Sequence, residues 1–271
     1  RSFMVDVINM IQSGLPVYAM LAPAVEGQFG EYYLSDIAEA VRKLGFKGVY
    51  EVALAADMVA ESEAKEWVEA YHEGKKMTTS CCPAFVTMVE KHYPQLKEAV
   101  STTVSPMAAM SRMIRERHPG AITVFIGPCI AKKSEVIESF AQGNADYALT
   151  FEELDAMLRA KEIELYHIGA CMQQGSLYGK KFAASGGVTA AVQQVLDEMR
   201  VNADIKVARC DGAAECKVSL LQMKAGKLPE DFIEGMACPG GCVNGPGNLL
   251  SELESRKNRT ILWNRAEPRT I

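Results

Sequence analysis

The sequence predicts an α/β protein of two closely packed lobes, each a small, mostly parallel or mixed sheet flanked by helices. Three observations predict it. Apolar, β-rich runs alternate with helical periods along the chain; Gly, Pro and Thr punctuate the boundaries; and 271 residues, 48% of them hydrophobic, suffice for about two cores. In chain order, residues 1–14 have the pattern of an amphipathic helix and 17–22 of a buried strand. A helical period at 34–44 stops at Gly45 and is followed by a strand at 48–54. A long period at 57–73 stops at Gly74, and a shorter one covers 84–91. Pro106 opens a helix over 106–117, which precedes strands at 121–126 and 147–149. Thr150 is placed to cap a helix at 151–159. A strand at 163–168, a helix at 187–199, a strand at 205–208, a helix at 213–224 and a strand at 232–236 complete the reading. The best seams are residues 118–121 and 173–181, neither long enough for a linker. The expected lobes are therefore roughly 1–119 and 120–271.

Composition excludes several classes of function. Lys plus Arg total 29 and Asp plus Glu 34, a formal net charge of -5, which gives no excess to neutralise nucleic-acid phosphates. No apolar run approaches the roughly 18 residues of a membrane span, and residues 1–14 do not read as a signal peptide. A cytoplasmic protein with no nucleic-acid or membrane partner is expected. The chain begins with Arg1, which leaves room for a longer natural protein.

Eight cysteines in such a chain favour thiolates for metal or catalysis over a disulfide framework. Three cysteine-bearing segments each follow a β-like run and are framed by Pro or Gly: Thr78-Thr-Ser-Cys-Cys-Pro83, Gly127-Pro-Cys-Ile-Ala-Lys-Lys-Ser-Glu135 and Met236-Ala-Cys-Pro-Gly-Gly-Cys-Val-Asn-Gly-Pro-Gly247. Loops at strand ends are where α/β folds bind ligands. Structural zinc sites favour two Cys-x2-4-Cys pairs, whereas here one pair is adjacent, one is Cys-x3-Cys and Cys129 stands alone. Adjacent Cys81 and Cys82 point apart, so one of them ligates. That leaves Cys82, Cys129, Cys238 and Cys242, a four-thiolate set suited to an iron-sulfur cluster between the lobes, with Cys81 free. Residues 127–134 nearly spell a P-loop, but Lys132 replaces the second glycine. The four histidines show no metal or triad spacing. Cys210 and Cys216 could together hold a ligand but are expected to be buried free thiols, and Cys171 carries no assigned role.

Together, T-S-C-C-P, P-C-x-A-K-K-x-E and M-A-C-P-G-G-C-x-N-G resemble the signature loops of the active-site domain of FeFe (iron-only) hydrogenases, in matching order over nearly the whole chain. Residues 147–158 and Ala184-Ser-Gly-Gly-Val188 resemble connecting segments of that domain. The resemblance implies that Cys82, Cys129, Cys238 and Cys242 hold a 4Fe-4S cluster. It also implies that Cys242 bridges to a two-iron subsite carrying carbon monoxide, cyanide and an azadithiolate, the two units forming the H-cluster. Lys132 would hold a cyanide, Ala22, Pro23, Ala24 and Ser105 would line the pocket, and Met236 would pack beside the bridging ligands. The bridging amine would be the first base and Cys81 the next relay. Glu63, Glu66 and Ser101 fall at the family's proton-path positions. Glu63 and Glu66 share one helix face by their i,i+3 spacing, in a Glu-rich stretch that otherwise reads as a solvated face. Glu135, one turn past Lys132, is a weaker candidate, or a salt-bridge partner.

The chain departs from the strongly catalytic pattern at four places. Gly127 stands where Met is usual, Met107 where Gln is usual, Asn-Gly-Pro-Gly-Asn replaces a glycine run ending in Gln-Pro, and Ala70 replaces an outer basic residue. These changes resemble the divergent branch of the family to which hydrogen sensing is attributed. The expected function is reversible interconversion of H2 with protons and electrons, at low activity, for hydrogen sensing in an anaerobic cytoplasm. No C-x2-C-x2-C ferredoxin motif occurs. Electrons then come from a ferredoxin-like donor or a fused iron-sulfur module. The H-cluster requires maturation proteins, and a signalling domain outside this chain is a further expectation. The alternatives are a Narf-like iron-sulfur scaffold lacking the two-iron subsite, and a zinc-binding interaction domain.

Overall fold

The computed structural model describes residues 1–138, 143–201 and 204–266. The predicted α/β class is found. Two parallel sheets carry the fold: a four-stranded one built of β1 (Val17–Leu21), β2 (Gly48–Glu51), β4 (Ile122–Ile126) and β5 (Tyr147–Leu149), in the order β2-β1-β4-β5. The other is three-stranded, built of β3 (Met77–Thr78), β6 (Val207–Asp211) and β7 (Phe232–Met236), in the order β3-β7-β6. Each pair is parallel, so every connection is a crossover, and the crossovers supply the helices that cover the sheets. Strands from both sides of the expected divide at residue 119/120 enter both sheets: β4 pairs with β1, and β3 with β7.

Helices α1 (Met4–Gln12), α2 (Leu34–Lys43), α3 (Ala53–His72), α4 (Pro83–His92), α5 (Pro106–Arg117), α7 (Phe151–Ala160), α9 (Gly187–Glu198) and α10 (Ala213–Lys224) fall on the predicted periods. The start signals act as expected. The Ser105 hydroxyl accepts from the Ala108 N–H at 3.4 Å with Pro106 next in line, and Thr150 accepts from Glu153 N–H at 3.2 Å while the Glu153 carboxylate accepts from Thr150 N–H at 2.8 Å. Along β7 the period of two decides which core each residue joins. Phe232 and Met236 face the helices α3 and α9 with Trp67 and Val188, whereas Ile233 packs on the other face with Phe85, Cys216 and Leu220. A larger cluster surrounds the four-stranded sheet, with Met20, Ile37, Val124 and Phe151 buried in it.

Several elements depart from the sequence reading. The alternation at 163–168 forms no strand. The segment is held by side chains instead, with His167 Nδ1 at 2.8 Å from Asp36 Oδ2 and Ile168 N–H donating to Asp36 Oδ1 at 3.0 Å. The polar stretch 173–181, expected as a seam, contains α8 (Leu177–Lys181), capped by Ser176 and anchored in the core by Lys180. Helices α6 (Ala131–Glu138) and α11 (Glu252–Trp263) were also absent from the reading. Among the described residues no helix is long and apolar enough to cross a membrane.

Candidate active site

The ends of four parallel strands from the two sheets deliver the site, since a strand's C-terminal end is where its loop must turn into the next helix. β1 runs into Ala22–Pro23–Ala24, β4 into Gly127–Pro128–Cys129, β3 into Thr79–Ser80–Cys81–Cys82, and β7 into the Cys238 loop and a short 3-10 turn, Cys242–Asn244. Backbone bonds stitch these loops together. Thr79 N–H donates to Ile233 carbonyl at 3.0 Å, Gly247 N–H to Pro128 carbonyl at 2.8 Å and Ser185 N–H to Gly240 carbonyl at 3.1 Å. Gly241 has φ +89°, and a Cβ there would stand 2.7 Å from Ser185 nitrogen and 2.8 Å from Ala183 oxygen; only glycine fits this turn.

The loops enclose one cavity. Ala22, Pro23, Ala24, Cys81, Cys82, Cys129, Lys132, Met236 and Cys242 all lie on its wall, closed by Val52, Met107, Phe125, Phe182 and Ala183. Cys238 is set beside the wall, close enough that the charges of Cys129 and Cys82 raise its pKa once burial has done so. Cys242 is pushed well above the ordinary thiol range, first by burial and then by Cys129, Cys82 and Cys238. Burial also raises Cys129, against the pull of the Lys132 ammonium. The four sulfurs are thus mutual neighbours, although Cys82 and Cys242 lie far apart in sequence. Among the described residues no three His, Cys, Asp or Glu side chains are arranged for a single metal ion. Thiolates at the corners of an iron-sulfur cube stand farther apart than the ligands of one ion. Clustered soft donors that repel one another, in an apolar cavity with one ammonium, are the chemistry such a cube needs: a cationic iron centre would deprotonate them. The residues fit the group.

Lys132 is buried and donates to Glu135 Oε2 at 2.5 Å and to the Cys81 carbonyl at 3.4 Å. Burial works against its charge, but the Glu135 carboxylate prevails and holds the ammonium above its ordinary pKa. Glu135 also accepts from the Ser105 hydroxyl at 2.6 Å. Ser105 therefore caps α5 and supports Glu135, while its neighbours Pro106 and Met107 form the wall.

Beside Cys81 stands Glu63, fully buried on α3 with no hydrogen-bond partner for either carboxylate oxygen among the described residues. Burial, then the charges of Glu234 and Glu66, raise it to about 8, so the side chain is a neutral acid at pH 7. Cys81 is pushed well above the ordinary range by burial and next by Glu63, which places the two in electrostatic contact. One turn along α3, Glu66 accepts from the hydroxyls of Ser101 and Thr102 and opens on a second cleft with Glu69, Ala70, Glu73 and Glu98. The helical spacing that aligned Glu63 and Glu66 in the sequence thus spans the distance from cavity side to outer cleft. The reading missed Glu234 on β7, which accepts from Gly186 N–H at 2.9 Å, Thr189 N–H at 3.0 Å and the Thr189 hydroxyl at the start of α9. A charged residue inside an otherwise apolar strand was the available signal.

The other cysteines divide. Cys171 is exposed. Cys210 and Cys216 are buried free thiols; Cys210 contacts Ser219 Oγ at 3.2 Å and Cys216 the Met236 carbonyl at 3.5 Å. Gly127 also has a packing reason, since a Cβ there would meet the Phe125 ring at 2.6 Å and Ala22 Cβ at 2.9 Å.

Residues 15–246 match the model of the family described as iron only hydrogenase large subunit, C-terminal domain. Iron hydrogenase 1 of Clostridium pasteurianum is 28% identical over 93% of this chain, which spans 54% of that protein. The periplasmic Fe hydrogenase large subunit of Nitratidesulfovibrio vulgaris is 30% identical over 91% of this chain and 72% of its own length. The nuclear prelamin A recognition factor of Homo sapiens is 24% identical over 76% of this chain and 57% of its own. Among solved structures, an FeFe-hydrogenase studied for oxygen inactivation of its H cluster superposes with a TM-score of 0.77 at 23% identity, covering 97% of this chain and 88% of that one. An FeFe-hydrogenase variant from Chlamydomonas reinhardtii gives 0.77 at 22%, covering 98% and 89%. With the model matched from residue 15 to residue 246, the chain belongs to the iron-only hydrogenase family, through the C-terminal domain of the large subunit.

Proposed function

We propose that the chain is an FeFe-hydrogenase active-site domain interconverting H2 with protons and electrons. The observation that carries the reading is the continuous set of groups from the cavity to the surface: Cys81 on the wall, the unpartnered Glu63 behind it, then Glu66 and Ser101 at the outer cleft. Cys82, Cys129, Cys238 and Cys242 would hold a 4Fe-4S cluster, with Cys242 shared with a two-iron subsite. When bound, that subsite supplies the metal at which hydrogen is cleaved or formed. The protein's own part is to anchor, exclude water and move protons. Lys132 presents a permanent ammonium inside an apolar cavity, where a donor to an anionic ligand counts for most. Met236, Phe125 and Phe182 keep water from the same space. Cys81 can both donate and accept a proton, and Glu63, neutral at pH 7, can pass one to it and be reloaded from Glu66. Ala70 leaves the outer end without a basic residue, and Gly127 and Met107 alter the cavity wall. These three departures support a slow enzyme, for hydrogen sensing in an anaerobic cytoplasm with an iron-sulfur protein as electron partner and a signalling domain elsewhere.

A scaffold of the Narf type is the second reading, favoured by the similarity to the nuclear prelamin A recognition factor. The test is exchange of deuterium gas with solvent protons by protein matured with both iron units. Exchange is expected in the wild-type chain, and a loss of about 10²- to 10⁴-fold in Cys81→Ala with the 4Fe-4S signal intact. No exchange by the wild-type protein, despite a filled four-iron site and a loaded two-iron unit, would remove the enzyme reading.

A further inference from the structure

Behind the cavity wall, out of contact with the cavity itself, lies an ion cluster that the proposed chemistry does not use. Lys180 of α8 is 0% exposed; its ammonium donates to Glu26 Oε2 at 2.9 Å and to Glu51 Oε1 at 2.6 Å. Glu51 Oε2 accepts from Gly175 N–H at 2.7 Å. The three charges come from three separate elements: the turn after β1, the last residue of β2, and α8. Each lies within three residues of a cavity wall: Glu26 follows Ala24, Glu51 precedes Val52, and Lys180 precedes Phe182 and Ala183.

Three buried ionisable groups are not a stabilising choice, because desolvation consumes most of the Coulombic gain and apolar residues of equal volume pack at lower cost. What the cluster does supply is direction. One ammonium satisfies two carboxylates in a single arrangement of the three elements, whereas apolar contacts tolerate sliding. Burial raises Glu51 to about 7, so a proton taken up by Glu51 near neutral pH leaves the cluster without net charge.

Resting on the reading of the cavity given above, we infer that Lys180, Glu26 and Glu51 form a positioning cluster that fixes three walls of the cavity in the spacing a two-iron group requires. Lys180 is a positioning residue: it touches neither metal nor substrate, and acts through the walls it joins. Two variants test this, Glu26→Gln/Lys180→Met/Glu51→Gln, which removes all charge at similar volume, and Glu51→Gln, which retains the Lys180–Glu26 pair. Both are prepared with the 4Fe-4S cluster in place and then offered the two-iron complex. The triple variant is expected to keep its four-iron signal while two-iron uptake, counted as iron per chain, falls at least tenfold, or its carbon monoxide and cyanide infrared bands split into several sets. Amide hydrogen exchange of residues 22–26 and 176–183, measured before loading, is expected to quicken at least tenfold in the triple variant and about threefold in Glu51→Gln. Wild-type uptake with one sharp band set, or exchange unchanged in both variants, would overturn the inference. A wild-type chain that takes up no two-iron group would count against the functional reading, and the exchange measurement would still decide the cluster.

Discussion

Two buried lysines, one on the cavity wall and one behind it, are paired differently. Lys132 faces the cavity with one carboxylate, Glu135, and a weak contact to the Cys81 carbonyl; Lys180 is sealed behind the wall between two carboxylates. An ammonium has three donors. Each lysine uses two of them, but Lys132 lines the cavity with one carboxylate beside it, while at Lys180 two carboxylates away from the cavity take up the charge in holding chain segments together. Burial alone therefore does not mark a functional charge. Facing the cavity, with a single carboxylate as counter-charge, does.

The comparison breaks first on stability. Lys180→Met strands two buried carboxylates and is expected to lower the unfolding free energy by about 3–5 kcal/mol in denaturant titration. Lys132→Met is expected to cost about 1–3 kcal/mol, because Glu135 keeps the Ser105 hydroxyl and is 15% exposed. Equal costs would erase the distinction.

Only one of the two lysines was legible in the sequence. Lys132 sits in a motif three residues from Cys129, whereas Lys180 is joined to residues 154 and 129 positions away, and no local pattern encodes such a pair. The same division runs through the fold. β5, α5 and β7 could be read to the residue because period and punctuation agree there. Helix α11 could not, since Leu253 is 83% exposed and its buried face includes Ser255 and Arg259, with Arg259 donating to Glu252 at 2.7 Å and lying over Trp263. The alternation at 163–168 has the pattern of a strand, yet the Asp36 carboxylate takes the Ile168 N–H that a ladder would use and also binds the His167 ring. The four cysteines were found because Pro and Gly frame them locally. Their convergence needed both sheets.

The comparison sharpens with pH. Glu63, raised to about 8, and Glu51, raised to about 7, both bind a proton more tightly folded than unfolded. Their contribution is full below about pH 4.5 and is lost as pH rises through the folded values, so stability falls between roughly pH 5 and 8, with a slope of about 1.4 kcal/mol per pH unit for each group. Glu63→Gln is expected to remove its share of that slope in chemical denaturation at pH 5, 6.5 and 8; a slope unchanged from wild type would show Glu63 ionised at neutral pH.

Smaller effects follow at the wall and the rim. Gly127→Ala forces the Phe125 ring and Ala22 apart and is expected to cost about 1–3 kcal/mol by thermal unfolding. Ala70→Arg, in the outer cleft among Glu66, Glu69, Glu73 and Glu98, is expected to change stability by no more than about 1 kcal/mol and deuterium exchange by a few-fold. An effect there as large as that of Cys81→Ala would move the controlling step to the rim.

The most direct measurement is infrared spectroscopy of the wild-type chain with its four-iron cluster assembled, before and after addition of the two-iron complex. Carbon monoxide and cyanide stretching bands that appear on loading, and shift when hydrogen is admitted, are the predicted result. A filled four-iron site that acquires no such bands, or bands indifferent to hydrogen, would contradict it and leave the chain an iron-sulfur scaffold.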